Sequence, residues 1–137
     1  MYTYTFLEKP TTDQKVQILA LYHAEKWWPE NIANPNRIDM IIKGSHCILI
    51  VQSGEEVIGM GRALSDNTGD AYLHDITVKK QYRKKGIGNK IVKSLLQNLK
   101  RDGITWVGLI AENKSSAFYT KHNFSTMKNA SPMFIEL

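Results

Sequence analysis

The feature that most constrains this chain is the handover from an apolar run to a helix across a short, basic, glycine-containing turn. Ala71–Val78 is rich in strand-forming residues, and Ile87, Ile91, Leu95 and Leu99 recur every four positions, with Val92 and Leu96 beside them, until Gly103. The first pattern predicts a strand and the second an amphipathic helix stopped at a glycine. Between them stand Lys79-Lys80-Gln81-Tyr82-Arg83-Lys84-Lys85-Gly86-Ile87-Gly88-Asn89. Glycines at 86 and 88 allow a tight turn and a close backbone approach, and the first free N–H groups of a helix favour an anion. The five basic side chains between 79 and 85 add to that attraction. The turn is therefore an anion site of a size that suits a diphosphate. It is not a P-loop, because Asn89 follows Gly88 where a lysine is required. It is not a dinucleotide fingerprint either, because Ile91 stands in place of the third glycine.

The rest of the chain reads as one mixed α/β domain. A length of 137 residues fits one core, and 42% hydrophobic with 23% charged residues is an ordinary globular balance. Residues 2–8 alternate as a first strand. Thr12 to Lys26 has helical spacing with Thr12 as its cap, closed by Trp27-Trp28-Pro29. A short helix follows Asn36 and stops at Gly44. His46–Gln52 and Val57–Leu64 read as strands around the turn at Ser53-Gly54-Glu55-Glu56. Ile104–Ala111 reads as a strand, Ser115–His122 as a short helix, and Phe124–Met127 and Met133–Leu137 as closing strands. The strand–helix–strand unit from 71 to 111 implies a right-handed parallel crossover. No apolar run approaches the length of a membrane span, the N-terminus has no signal-peptide pattern, and no His/Cys/Asp/Glu cluster has metal-ligand spacing. The single Cys47 sits in an apolar run as a core residue, which points to a reducing, cytoplasmic setting. The net charge of +5 favours anionic partners. A nucleic-acid surface is the weaker use of it, since the basic stretch carries one aromatic residue and no recognition signature.

Arg83-Lys84-Lys85-Gly86-Ile87-Gly88 resembles the R/Q-x-x-G-x-G/A diphosphate loop of the GNAT superfamily of N-acetyltransferases. Asn113-Lys114-Ser115-Ser116-Ala117-Phe118-Tyr119-Thr120-Lys121-His122-Asn123-Phe124 is similar to that family's N-x-x-A-x-x-F-Y-x-K-x-G-F stretch, with one spacer fewer before the alanine. Asn123 replaces the usual glycine, and asparagine tolerates a left-handed backbone. Gly61–Asp66 and Ser131-Pro132-Met133-Phe134 look like stretches of small bacterial members and of arylalkylamine acetyltransferases. The resemblance implies a GNAT fold, with a mixed, mostly antiparallel sheet of six to seven strands flanked by about four helices.

It also implies acetyl-CoA as co-substrate. Ile76, Thr77 and Val78 would lie along the pantetheine arm, and Ile76 and Val78 would pair with it through their backbones. The turn from Arg83 through Lys84, Lys85, Gly86, Ile87 and Gly88 to Asn89 would hold the diphosphate, and Asn113, Ser116 and Tyr119 would form the opposite wall. Tyr119 matches the family's general acid. His74 and Asp75 are candidates for the base, and simple alternation places Leu73, Asp75 and Thr77 on one face with Tyr72, His74, Ile76 and Val78 on the other. Trp27 and Trp28 are candidate acceptor walls. The acceptor implied is a primary amine, a small molecule ahead of protein N-termini or lysines. A catalytically silent acyl-CoA binder is the other class, and a homodimer is plausible by analogy.

Overall fold

The computed structural model describes residues 1–137, in the order β1 (Tyr2–Phe6), α1 (Thr12–Ala24), α2 (Arg37–Gly44), β2 (Cys47–Ser53), β3 (Glu56–Leu64), β4 (Asp70–Val78), a single 3-10 turn at Lys80–Tyr82, α3 (Ile87–Arg101), β5 (Trp106–Gly108) and α4 (Ser116–Thr120). The strands form one sheet in chain order. β1 to β4 are antiparallel neighbours, and β5 joins β4 in parallel.

The continuous apolar runs of β2 and β3 follow from a sheet covered on both faces. Leu49, Val51 and Ile58 face one cluster, into which α3 inserts Ile87, Ile91, Val92, Leu95 and Leu99. Ile48, Ile50, Val57 and Met60 face the other, closed by Ile18, Leu19, Leu21 and Tyr22 of α1 and Ile38 of α2. Burial in these two layers is the main stabilising term of the fold. α1 begins one residue earlier than expected: Thr11 is the cap, and its hydroxyl and the Gln14 side chain form a reciprocal capping box. Gly103, at φ +85, ends α3 as read from the sequence.

Two expectations fail at the C-terminal side. The sheet has five strands rather than six or seven, because neither Phe124–Met127 nor Met133–Leu137 becomes a strand. Alternation alone does not make a strand without a paired edge. The polar stretch from Ser125 to Pro132, with Asn129 at φ +59, keeps Met133, Phe134 and Ile135 away from the sheet and exposed. β5 is likewise three residues long, far shorter than Ile104–Ala111.

β4 also departs from plain alternation. Its register with β3 shifts by one between Met60 and Arg62, so that one extra residue of β4 is accommodated opposite Gly61. Asp75 lies at this β-bulge with φ +56. The bulge turns Asp75 to the α1 side. Its Oδ2 accepts from the Tyr22 hydroxyl at 2.6 Å and from Arg62 Nε at 2.6 Å, and Arg62 Nη1 reaches Ser45 Oγ at 3.2 Å. Thr77 also faces α1, whereas Leu73, Ile76 and Val78 pack toward α3. Leu73 thus parts from Asp75 and Thr77, against the expected alternation.

At Gly61 the helix and sheet meet most closely. A Cβ there would lie 2.8 Å from Ile91, 3.0 Å from Leu95 and 3.1 Å from Ile76. Gly61→Ala should therefore cost about 1–3 kcal/mol by overpacking, read as a lower denaturant midpoint. An unchanged midpoint would show that the contact relaxes freely. Tyr22 gives a second test. Burial foremost, and then the Asp75 carboxylate, push its phenol well above the ordinary value of about 10. Below about pH 10 both folded and unfolded chains keep that proton; above it the unfolded chain releases it first, so stability falls as pH rises. Tyr4, Tyr82, Tyr119 and Cys47 shift the same way. Tyr22→Phe should make the alkaline loss of stability shallower without abolishing it; an unaltered slope would contradict the assignment.

Candidate active site

β4 and β5 pair only at Asp70↔Trp106, Ala71↔Val107 and Tyr72↔Gly108. Beyond Tyr72 the two strands part, and the half of β4 from His74 to Val78 has no strand on that side. A cleft of about 920 Å³ opens there. Its floor is residues 72–78 of β4. One end is the turn into α3, contributing Tyr82, Arg83, Lys84 and Gly86–Asn89, and the far wall is Leu109, Ile110, Asn113, Ser115, Phe118 and Tyr119. Tyr22, Glu25, Trp27 and Trp28 close the end beneath α1.

The glycines of the turn have separate settings. Gly86 is the residue before α3 and lies at φ +80, a left-handed conformation that suits glycine. Gly88 lies in the first turn of α3 against the Phe118 ring of α4, where a Cβ would sit at 3.4 Å, an ordinary contact distance. The turn is also anchored by acids. Lys79 Nζ and the Tyr82 hydroxyl both donate to Glu56, at 2.9 and 2.8 Å. Arg83 donates to the Val78 carbonyl at 2.8 Å and to Glu25 at 3.1 Å. Lys84 adopts φ +61 and lines the cleft.

Of the residues singled out from the sequence, Trp27, Trp28, His74, Asp75, Ile76, Thr77, Val78, Arg83, Lys84, Gly86, Ile87, Gly88, Asn89, Asn113 and Tyr119 all line this one cleft. Lys85 and Ser116 do not. Lys85 places its ammonium 5.7 Å from the Tyr82 ring centroid, and Ser115 takes the lining position beside Ser116. Sequence reading missed Tyr22, Glu25, Arg62, Glu112 and Lys121, which also line it. Tyr22 and Glu25 fall in α1 or at its end, where helical spacing reads as core, and only the fold brings them to β4.

Tyr119 is half-buried between Phe118 and Phe124, with edge-on rings at 5.0 and 5.8 Å. Burial raises its phenol above the ordinary value, so it holds its proton at neutral pH. The Asn123 turn behind it takes φ +68, as the left-handed reading required. His74 is exposed and stands opposite Arg62 in the ladder. Trp28 stacks on Tyr22 at 4.1 Å and carries the Arg37 guanidinium 5.0 Å from its own ring. Cys47 is outside the cleft, with its thiol pushed up to about 11 by burial, so it is no nucleophile at neutral pH. No cluster of three or more His, Cys, Asp or Glu side chains suits a metal, and no helix is long and apolar enough to cross a membrane.

This geometry has relatives. The N-acetyltransferase ycf52 of Pyropia yezoensis, itself described as uncharacterized, is 27% identical over 92 residues, covering 64% of this chain and 53% of that protein. The chain spans about half the length, or less, of the curated relatives it matches. A probable acetyltransferase from meticillin-resistant Staphylococcus aureus superposes with a TM-score of 0.80 at 21% identity, covering all of both chains. A GNAT family acetyltransferase from Streptococcus pneumoniae gives 0.79 at 23%, covering 100% of this chain and 98% of the other. At these identities the structural likeness speaks for the fold. The profile of the acetyltransferase (GNAT) family matches residues 10–124, from before α1 to just beyond α4. With the parted strands, the glycine turn and Tyr119 all inside that span, the chain belongs to the GNAT acetyltransferase family.

Proposed function

We propose that this protein transfers an acetyl group from acetyl-CoA to a primary amine, a small molecule by preference, through direct attack of the amine on the thioester. One observation carries the reading: the unpaired edge of β4, the glycine turn at the head of α3 and the Tyr119 side chain all open onto one cleft. An unpaired strand edge offers N–H and C=O groups to an amide-bearing chain such as pantetheine, here through Ile76 and Val78. The backbone from Arg83 to Asn89 and the positive end of α3 suit a diphosphate. Because Lys79 is already paired with Glu56, the basic stretch is less suited to a long polyanion than its composition suggests. That favours a compact phosphate over nucleic acid.

The chemistry needs an unprotonated amine, a stabilised oxyanion and a proton for the leaving thiolate. The amine nitrogen bonds to the acetyl carbon, the carbon–sulfur bond breaks, and sulfur takes a proton from Tyr119. A protonated phenol is a suitable donor to a thiolate whose acid has a pKa of about 8.5. A backbone N–H at the Asp75 bulge suits the transient oxyanion, since a bulge frees groups from the ladder. His74, exposed in the cleft, takes the proton that the amine sheds. Asp75 has one oxygen committed to Tyr22 and Arg62, and serves better to hold the bulge than as a base. Trp27 and Trp28 wall the acceptor end. The lone, half-buried and unpaired Cys47 suits a reducing compartment such as the cytoplasm.

Thiol release from acetyl-CoA across a panel of primary amines tests the activity directly, and turnover with at least one of them is expected. Coenzyme binding without turnover on any would mark a silent acyl-CoA binder instead. Tyr119→Phe should lower turnover by about 10- to 1,000-fold while coenzyme A affinity stays within a few-fold; undiminished turnover removes Tyr119 from the mechanism. His74→Ala should remove the acidic limb of the pH–rate profile, and an unchanged limb would assign the proton to solvent.

A further inference from the structure

One carboxylate ties the phosphate turn to the acceptor end of the cleft. Glu25 caps α1, its backbone N–H donating to the Leu21 carbonyl. Its Oε1 accepts from the Thr77 hydroxyl at 2.6 Å and from Arg83 Nη2 at 3.1 Å. The same side chain therefore touches the end of α1, the open half of β4 and the turn that precedes α3. Lys26 then reverses the chain at φ +58, and Trp27 and Trp28 follow at once, both lining the cleft.

Arg83 is held loosely enough to be exchanged. Its side chain is 52% exposed, whereas that of Glu25 is 25% exposed. A guanidinium offers five N–H donors in one plane, and a diphosphate presents more charge and more acceptor oxygens than one carboxylate oxygen already shared with a hydroxyl. Glu25 and a diphosphate in the turn thus compete for the same guanidinium. The winner decides whether the end of α1 is tied to the turn.

We propose that Glu25 is an internal stand-in for phosphate: it holds Arg83 until the diphosphate of the coenzyme takes it, and the release of Glu25 carries coenzyme occupancy to the Trp27–Trp28 wall of the acceptor pocket. Glu25 is a positioning residue in this account, acting through Arg83 and Thr77. The proposal rests on the acetyl-CoA reading of the cleft and adds a coupling between its two ends.

The test uses coenzyme A as the probe and the full chain in a Trp106→Phe background. Trp106 lies outside the cleft lining, and its removal leaves Trp27 and Trp28 as the two remaining indoles. Calorimetry reads affinity, and indole fluorescence reads the acceptor wall. In the parent the fluorescence change should follow the binding isotherm. Glu25→Gln should bind coenzyme A about three- to tenfold more tightly, since Arg83 no longer has to be taken from a carboxylate, and its fluorescence response should largely vanish. Arg83→Gln, at an exposed position, should bind more weakly, and adding Glu25→Gln to it should bring no further gain in affinity; should Glu25→Gln alone fail to fold, loss of the indole response in Arg83→Gln at saturating coenzyme carries the test. A Glu25→Gln protein with parental affinity and a parental fluorescence response overturns the proposal, as does an additive double variant. Absence of any coenzyme A binding by the parent overturns the acetyl-CoA reading itself, and the coupling with it.

Discussion

The parting of β4 from β5 is the constraint on which the rest depends. Two parallel strands need a helical crossover, so α3 must leave the carboxyl end of β4 and return along the sheet to reach β5. Its N-terminus is therefore delivered beside the end of β4. Because the strands pair over only three positions, that helix terminus stands next to an open strand edge rather than a closed sheet. A place for an anion and a place for an extended amide chain arise together from one topological choice, at the carboxyl end of a strand where α/β sheets commonly bind ligands.

The site is held by paired charges and unusual backbone. Asp75, Lys84 and Asn113 all have positive φ without being glycine, and all three line the cleft. Such conformations persist where the surroundings over-determine them. At Asp75 the surroundings are visible: Tyr22 and Arg62 clamp the carboxylate, and Ser45 holds Arg62 from behind. A half-buried carboxylate is tolerable there because its charge and hydrogen-bonding capacity are met. α1 thereby does more than cover the sheet. It fixes the bulge through Tyr22 and, through Glu25, reaches the turn that precedes α3.

Much of this was legible in the chain, and the limits have physical causes. The four-residue recurrence from Ile87 to Leu99 gave α3 almost residue for residue, and Gly86, Gly88 and Tyr119 line one cleft. Local patterns carry that information because the turn and helix are built from neighbours in sequence. The bulge was not legible, since one extra residue at Asp75 leaves no trace in a period-two pattern and yet changes which residues share a face. The Tyr22–Asp75 and Glu25–Arg83 pairs were not legible either, being contacts between positions more than fifty apart in which Tyr22 and Glu25 look like ordinary residues of α1 and its end. The closing strands were overread, because Met133 to Leu137 has the pattern of a strand without a partner edge to complete it.

Amide hydrogen exchange with and without acetyl-CoA tests the central claim most directly. The account predicts new protection along residues 76–78 and from Arg83 to Asn89, where the coenzyme takes up main-chain groups, with the remote β1–β2 edge unchanged. Binding that leaves both segments unprotected, or that protects only other surfaces, would contradict it.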